Sequence, residues 1–156
     1  MTVDLEVRNL VGAYCHEVTT GDPDPWSLTW SVDAVWGIPG GGTINGRTAI
    51  REQFASVRSA YLLCVQAVLS ATIQVDGPDR ATARHYIREL QWKDVDGAVR
   101  HSELIGWYDD TIVREGDGAM RFARRNFTLL TSGQLPWDGR FHRAAHELRI
   151  SASGSA

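Results

Sequence analysis

Lysine is almost missing from this chain: Lys93 is the only one, although lysine and arginine together number 16. A Schiff-base mechanism has one candidate, set in the polar stretch Lys93-Asp94-Val95-Asp96-Gly97, whose composition is that of a turn. Cysteine is as sparse. Cys15 and Cys64 stand alone, without CxxC spacing, and are expected as free buried thiols that behave as small hydrophobes. No run approaches the roughly 20 apolar residues of a membrane span. The opening MTVDLEVRNLVGAY has no cationic lead-in, so the expectation is a cytoplasmic protein without signal peptide or anchor. Basic excess is lacking too: the net charge is -3, which argues against a phosphate-binding surface and hence against nucleic acid as partner. The glycines of Pro39-Gly40-Gly41-Gly42 have neither a GK[ST] ending nor GxGxxG spacing and read as a turn.

What is present is an ordinary globular composition, 43% hydrophobic and 22% charged, with six tryptophans in 156 residues. That length suits one domain with a substantial core, taken as residues 1–150, followed by a disordered tail at 151–156. Leu5, Val7, Leu10, Val11, Tyr14 and Val18 recur at helical spacing, so residues 4 to 19 read as a helix with Tyr14 on its apolar stripe. Asp24-Pro25 reads as the cap and first position of a short helix ending at Trp30, Asp33 to Ile38 as a strand, and Thr48 to Ser59 as a second long helix. Arg140 to Ile150 reads as a short C-terminal helix.

From Leu62 the texture changes to four long runs rich in Val, Ile, Tyr, Trp and Thr. They are broken by Asp76-Gly77-Pro78-Asp79, Asp94-Val95-Asp96-Gly97 and Glu115-Gly116-Asp117-Gly118. Such breaks are hairpin chemistry, so the runs are expected as consecutive antiparallel strands. RATARHYIREL, residues 80–90, contains helix formers, yet its place between two such turns outranks propensity. As a strand it puts Ala81, Ala83, His85, Ile87 and Glu89 on one face and Thr82, Arg84, Tyr86, Arg88, Leu90 and Trp92 on the other. Small and apolar neighbours turn His85 and Glu89 toward a shielded wall; arginines mixed with aromatics suit an interface.

Two or three leading helices followed by a long curled sheet resembles the α+β cone shared by nuclear transport factor 2 and ketosteroid isomerase (NTF2-like). Within that superfamily the chain is similar to the SnoaL-like, polyketide-cyclase and dehydratase-like branch. The likeness rests on Tyr14, Trp30-Ser31-Val32-Asp33-Ala34-Val35-Trp36, Gly46-Arg47-Thr48-Ala49-Ile50, Val75-Asp76-Gly77-Pro78-Asp79-Arg80-Ala81, Gly106-Trp107-Tyr108-Asp109-Asp110 and residues 118–125. The resemblance implies N-terminal helices packed on a strongly curved, mostly antiparallel sheet enclosing a pocket, with a homodimer formed through the outer sheet face. It implies cofactor-free, metal-free acid and base chemistry on a small apolar polyketide- or terpenoid-like molecule of specialised metabolism, as an isomerase, cyclase or dehydratase. The family's first-helix tyrosine falls on Tyr14 and the pocket carboxylate of its bile-acid dehydratase group on Glu89. The dehydratase histidine corresponds to Gln66, the first-helix aspartate to Thr19, and the ketosteroid-isomerase base to Ile38.

With glutamine at 66, an amide that cannot shuttle protons, the expected division of labour is Glu89 as base, His85 as its partner and proton return, and Tyr14 with Gln66 as donors to a substrate oxygen. Trp30, Trp36 and Phe54 would supply flat walls for polycyclic or polyene substrates, joined by Tyr108 and His101, which face inward together only if a bulge intervenes. Each has a bland alternative: a structural ion pair for His85 and Glu89, a core tyrosine, core tryptophans. Asp109, Asp110 and Arg125 could line the pocket, although charges near strand ends are usually solvated or paired on the surface. His142 and His146, spaced i and i+4, lack the HExxH order and a third ligand, so no metal site is expected. Two rival functions remain: a non-catalytic small-molecule-binding or accessory protein, and a small subunit bracing a ring-hydroxylating oxygenase.

Overall fold

In a computed structural model, the backbone is described for residues 1–153 and side chains for residues 1–148. The order is α1 (Val3–Thr20), α2 (Pro23–Ser27), β1 (Trp30–Ile38), β2 (Gly42–Asn45), α3 (Arg47–Ser59), β3 (Leu63–Val75), β4 (Arg80–Val95), β5 (Ala98–Arg114), β6 (Met120–Leu135) and α4 (Arg143–Ser153). Residues 154–156, the end of the expected tail, lie outside the described residues. The six strands form one sheet in the order β2-β1-β6-β5-β4-β3, antiparallel except where β1 runs parallel to β6.

Helix α1 forms because Val7, Leu10, Val11, Tyr14 and Val18 share the stripe that the sheet buries. It ends at Gly21, whose φ of 81° is open to glycine at little cost. Its last carbonyls are taken by Arg58 of α3, which donates through Nε to Val18 O (3.0 Å) and Nη2 to Thr19 O (3.2 Å). Helix α2 starts one Asp-Pro pair earlier than expected. Asp22 accepts from Asp24 N at 2.9 Å and Pro23 takes the first turn, because both pairs carry the same cap signal and the first follows directly on the end of α1. Strand β2 had no sequence signal of its own; it is four residues long and pairs with Val35–Ile38.

Bulges curl the sheet. Register shifts set Leu69 apart between Val68 and Ser70 of β3, and two more interrupt β5–β6 pairing at Ile105/Gly106 and Thr111/Ile112. At Gly106 a Cβ would collide with Thr128 O and the Phe127 ring, so this strand can bend under Phe127 only with glycine there. The core between helices and sheet includes Tyr14, Trp26, Trp30, Phe54 and Phe122, with Trp26 stacked on Phe54 at 4.0 Å between centroids. Truncating one such ring to alanine costs about 3–5 kcal/mol. No helix among the described residues is long and apolar enough to cross a membrane.

Candidate functional site

Four elements bring polar groups to one cavity. Gln66 and Glu89 are direct partners in the β3–β4 register, Tyr108 follows on β5, and Tyr14 comes down from α1. They line a cavity of about 160 Å³ whose other walls include Trp36 and Phe54. Both Glu89 oxygens are held by carboxamides: Gln66 Nε2 donates to one at 2.8 Å and Gln91 Nε2 to the other at 2.5 Å. Gln66 is itself oriented by the Cys15 thiol, which donates to its Oε1 at 3.6 Å. Cys15 and Cys64 are both free, and burial pushes both thiols up, which keeps them protonated. Among the described residues no salt bridge reaches Glu89, so a side chain that can accept a proton lines the cavity with amide support and no compensating cation in contact.

The hydroxyls of Tyr14 and Tyr108 are neighbours. Burial pushes both phenols up, Tyr108 to about 12 and Tyr14 well above the ordinary tyrosine range; each holds its proton and can donate it in a hydrogen bond. Arg58 lines the cavity on the α3 side, with its guanidinium anchored on the backbone carbonyls of Val18, Thr19 and Tyr61.

His85 does not share this arrangement. It faces inward as its parity requires, but it is 1% exposed and its Nδ1 hydrogen-bonds Asp110 Oδ2 at 2.9 Å. A carboxylate only accepts, so His85 carries its proton on Nδ1. Arg125 completes the group, giving Nε to Asp110 Oδ1 at 2.8 Å and Nη2 to Oδ2 at 3.1 Å. Burial works against the charge on Arg125, but Asp110 outweighs it and the guanidinium's pKa is raised. His85 thus belongs to a buried ion-paired cluster and is no hydrogen-bond partner of Glu89.

Trp30 is fully buried inside the aromatic core rather than on a cavity wall. His101 lies on the opposite face from Tyr108: the β4–β5 register runs without a shift from Trp92–His101 to His85–Tyr108, so the odd spacing keeps them on opposite sides. There His101 stacks on Trp92 at 4.4 Å and packs against Trp137. The cavity is close in size to an engineered one of about 150 Å³ that admits benzene.

Arg58 and Gln91 were not singled out by sequence, and Asp110 and Arg125, weighed for the pocket but expected as surface charges, are instead buried. Asp110 shares parity with Tyr108, a signal that could have been used. Arg125 could not be found that way, because the shift between Thr111–Arg124 and Ile112–Phe122 displaces Ala123 from the pairing and reverses the phase of β6.

The SnoaL-like domain family model matches residues 1–126. Among curated proteins no sequence matches the chain. Solved structures agree in fold. A hexachlorocyclohexane dehydrochlorinase (LinA) of type 2 is 18% identical, with 89% of this chain and 92% of that one covered at a TM-score of 0.76. Rv3472 of Mycobacterium tuberculosis, of unknown function, is 21% identical over 97% and 94% at 0.68. Aln2 from a Streptomyces species is 19% identical over 81% and 90% at 0.70.

Proposed function

The chain belongs to the SnoaL-like domain family, and from that footing we propose that it is a cofactor-free acid–base enzyme, an isomerase, cyclase or dehydratase, acting on a small apolar carbonyl compound of polyketide or terpenoid character. The observation that carries this reading is Glu89: a carboxylate in an aromatic-walled cavity, oriented by two amides and engaged in no salt bridge among the described residues. Such a group removes a proton from carbon next to a carbonyl. The bonding pair moves toward the carbonyl oxygen, and the resulting enolate oxygen accepts hydrogen bonds from the Tyr14 and Tyr108 hydroxyls. The captured proton then returns at another carbon in isomerisation. In dehydration the β-hydroxyl takes that proton from Glu89 and leaves as water, and in cyclisation the enolate carbon attacks a second carbonyl whose oxygen takes the proton. One preorganised donor of this kind contributes about 10²–10³ in rate.

In this division of labour Gln66 orients Glu89, while Trp36 and Phe54 hold the substrate's apolar body. The dehydrochlorinase among the structural neighbours performs an elimination, which a carboxylate-centred pocket of this shape also suits. The working unit is taken as a cytoplasmic homodimer joined through the outer sheet face, where Arg84–Asp109 and Arg88–Glu103 pairs flank Tyr86 and Trp107. The test is Glu89→Gln assayed with single-ring β-hydroxy and β,γ-unsaturated ketones. The expected result is loss of turnover with the substrate still bound. Unchanged turnover removes Glu89 as base, and binding without consumption by the unaltered protein favours the ligand-carrier reading.

A further inference from the structure

Arg125 is fully buried, yet it does not line the cavity. Its guanidinium carbon lies 4.2 Å from the centroid of the Tyr14 ring, 4.0 Å from that of Tyr108 and 4.0 Å from that of Phe122. The two rings that carry the cavity's hydroxyls are therefore packed on the same cation. On its other side Asp110 holds Arg125 by two hydrogen bonds, and Asp110 is fixed in turn by His85. Nη1 has no hydrogen-bond partner among the described residues, so charge not engaged by Asp110 is presented to the rings.

We propose that Arg125 is a positioning residue of the site: its charge, held beneath the Tyr14 and Tyr108 rings by Asp110 and His85, strengthens both phenols as donors to a substrate oxyanion. The inference rests on the reading of Glu89 and the tyrosines given above. A cation on a π-face draws electron density from the ring, and its effect is large where water is excluded. In agreement, Arg125 opposes the upward push of burial on both phenols. The charged and titratable groups around the tyrosines are Arg125 from β6, Asp110 from β5, His85 and Glu89 from β4 and Cys15 from α1, with Arg58 from α3 and Cys64 from β3 on the shared cavity wall. Arg125 is the only cation within ring contact of either hydroxyl-bearing side chain among the described residues. The arrangement gives an oxyanion site positive character from a cation that its pairing with Asp110 holds behind the rings, outside the cavity lining.

The test uses p-nitrophenol, a one-ring oxyanion former, and nitrobenzene, its neutral counterpart, in the Glu89→Gln background so that the carboxylate does not repel the anion. The parent is expected to bind the phenolate in preference to nitrobenzene. Adding Arg125→Met with Asp110→Asn, which removes both charges together, should weaken phenolate binding about tenfold and leave nitrobenzene binding unchanged. Arg125→Lys, which retains the ion pair but loses the flat stack on two rings, should weaken the phenolate about threefold. Equal loss for both probes, or no loss of phenolate affinity in a folded variant, overturns the proposal. Should the doubly neutralised protein not fold, unchanged phenolate affinity in Arg125→Lys overturns it alone. A parent that binds neither probe overturns the cavity reading itself, a result distinct from the others, and the inference with it.

Discussion

Glu89 and Asp110 are carboxylates on the inner face of adjacent strands, and they have opposite surroundings. Asp110 is 4% exposed and saturated by Arg125 and His85. Glu89 borders a cavity and is held by two neutral amides. A buried charge is tolerated when paired, and pairing leaves it chemically quiet. An amide-held carboxylate at a cavity wall keeps its capacity to take a proton. The difference separates the group that braces the site from the group that can do its chemistry, although both are acidic residues within long strands.

The contrast can be broken by exchanging which property each residue controls. The largest effect is expected from Glu89→Gln, which should lower kcat by about 10²–10⁴-fold while thermal unfolding shifts little, read by steady-state kinetics beside calorimetry. Asp110→Ala should act the other way, through stability: it strands the Arg125 charge in the core and should cost about 3–5 kcal/mol in chemical denaturation. If Asp110→Ala is mild and Glu89→Gln severe in stability, the assignment of roles is inverted.

Tyr108 stands between the two carboxylates, lining the Glu89 cavity and stacked on the Asp110-bound arginine. Burial pushes its phenol up to about 12, from an ordinary value of 10.0. The folded state therefore keeps that proton at pH values where the unfolded chain has released it. The contribution is fully present below pH 10 and is lost as pH rises toward 12, a fall of about 2–3 kcal/mol. Unfolding free energies across that window should show the decline, and Tyr108→Phe should make it shallower, leaving the share of the buried Tyr14 phenol. The smallest effect belongs to Asp109, next to Asp110 in sequence but on the outer face, where it pairs with Arg84 and each side chain is 45% exposed. Arg84→Ala should cost under about 1 kcal/mol, and less in high salt.

Much of this was legible beforehand. The α1 stripe, the four long strands and the inward parity of Glu89 follow from spacing and turn residues, and they are local properties. The identity of partners was not. Sequence placed His85 beside Glu89 because the two lie four residues apart on one face. The structure gives His85 to Asp110, 25 residues away, through the pairing of β4 with β5. The same applies to His101, expected in the pocket and found stacked against Trp92 on the outer face, and to Trp30, expected on a wall and found in the core.

By itself the sequence determined the α+β architecture, the strand that carries the acid and the tyrosine above it, because period-two and period-3.6 patterns act over a few residues. Only the tertiary structure decided which carboxylate is neutralised. That depended on a displaced residue at Ala123, which turns Arg125 inward, and on hairpin register that sets three strands side by side; both are long-range consequences of pairing that no short stretch of chain encodes.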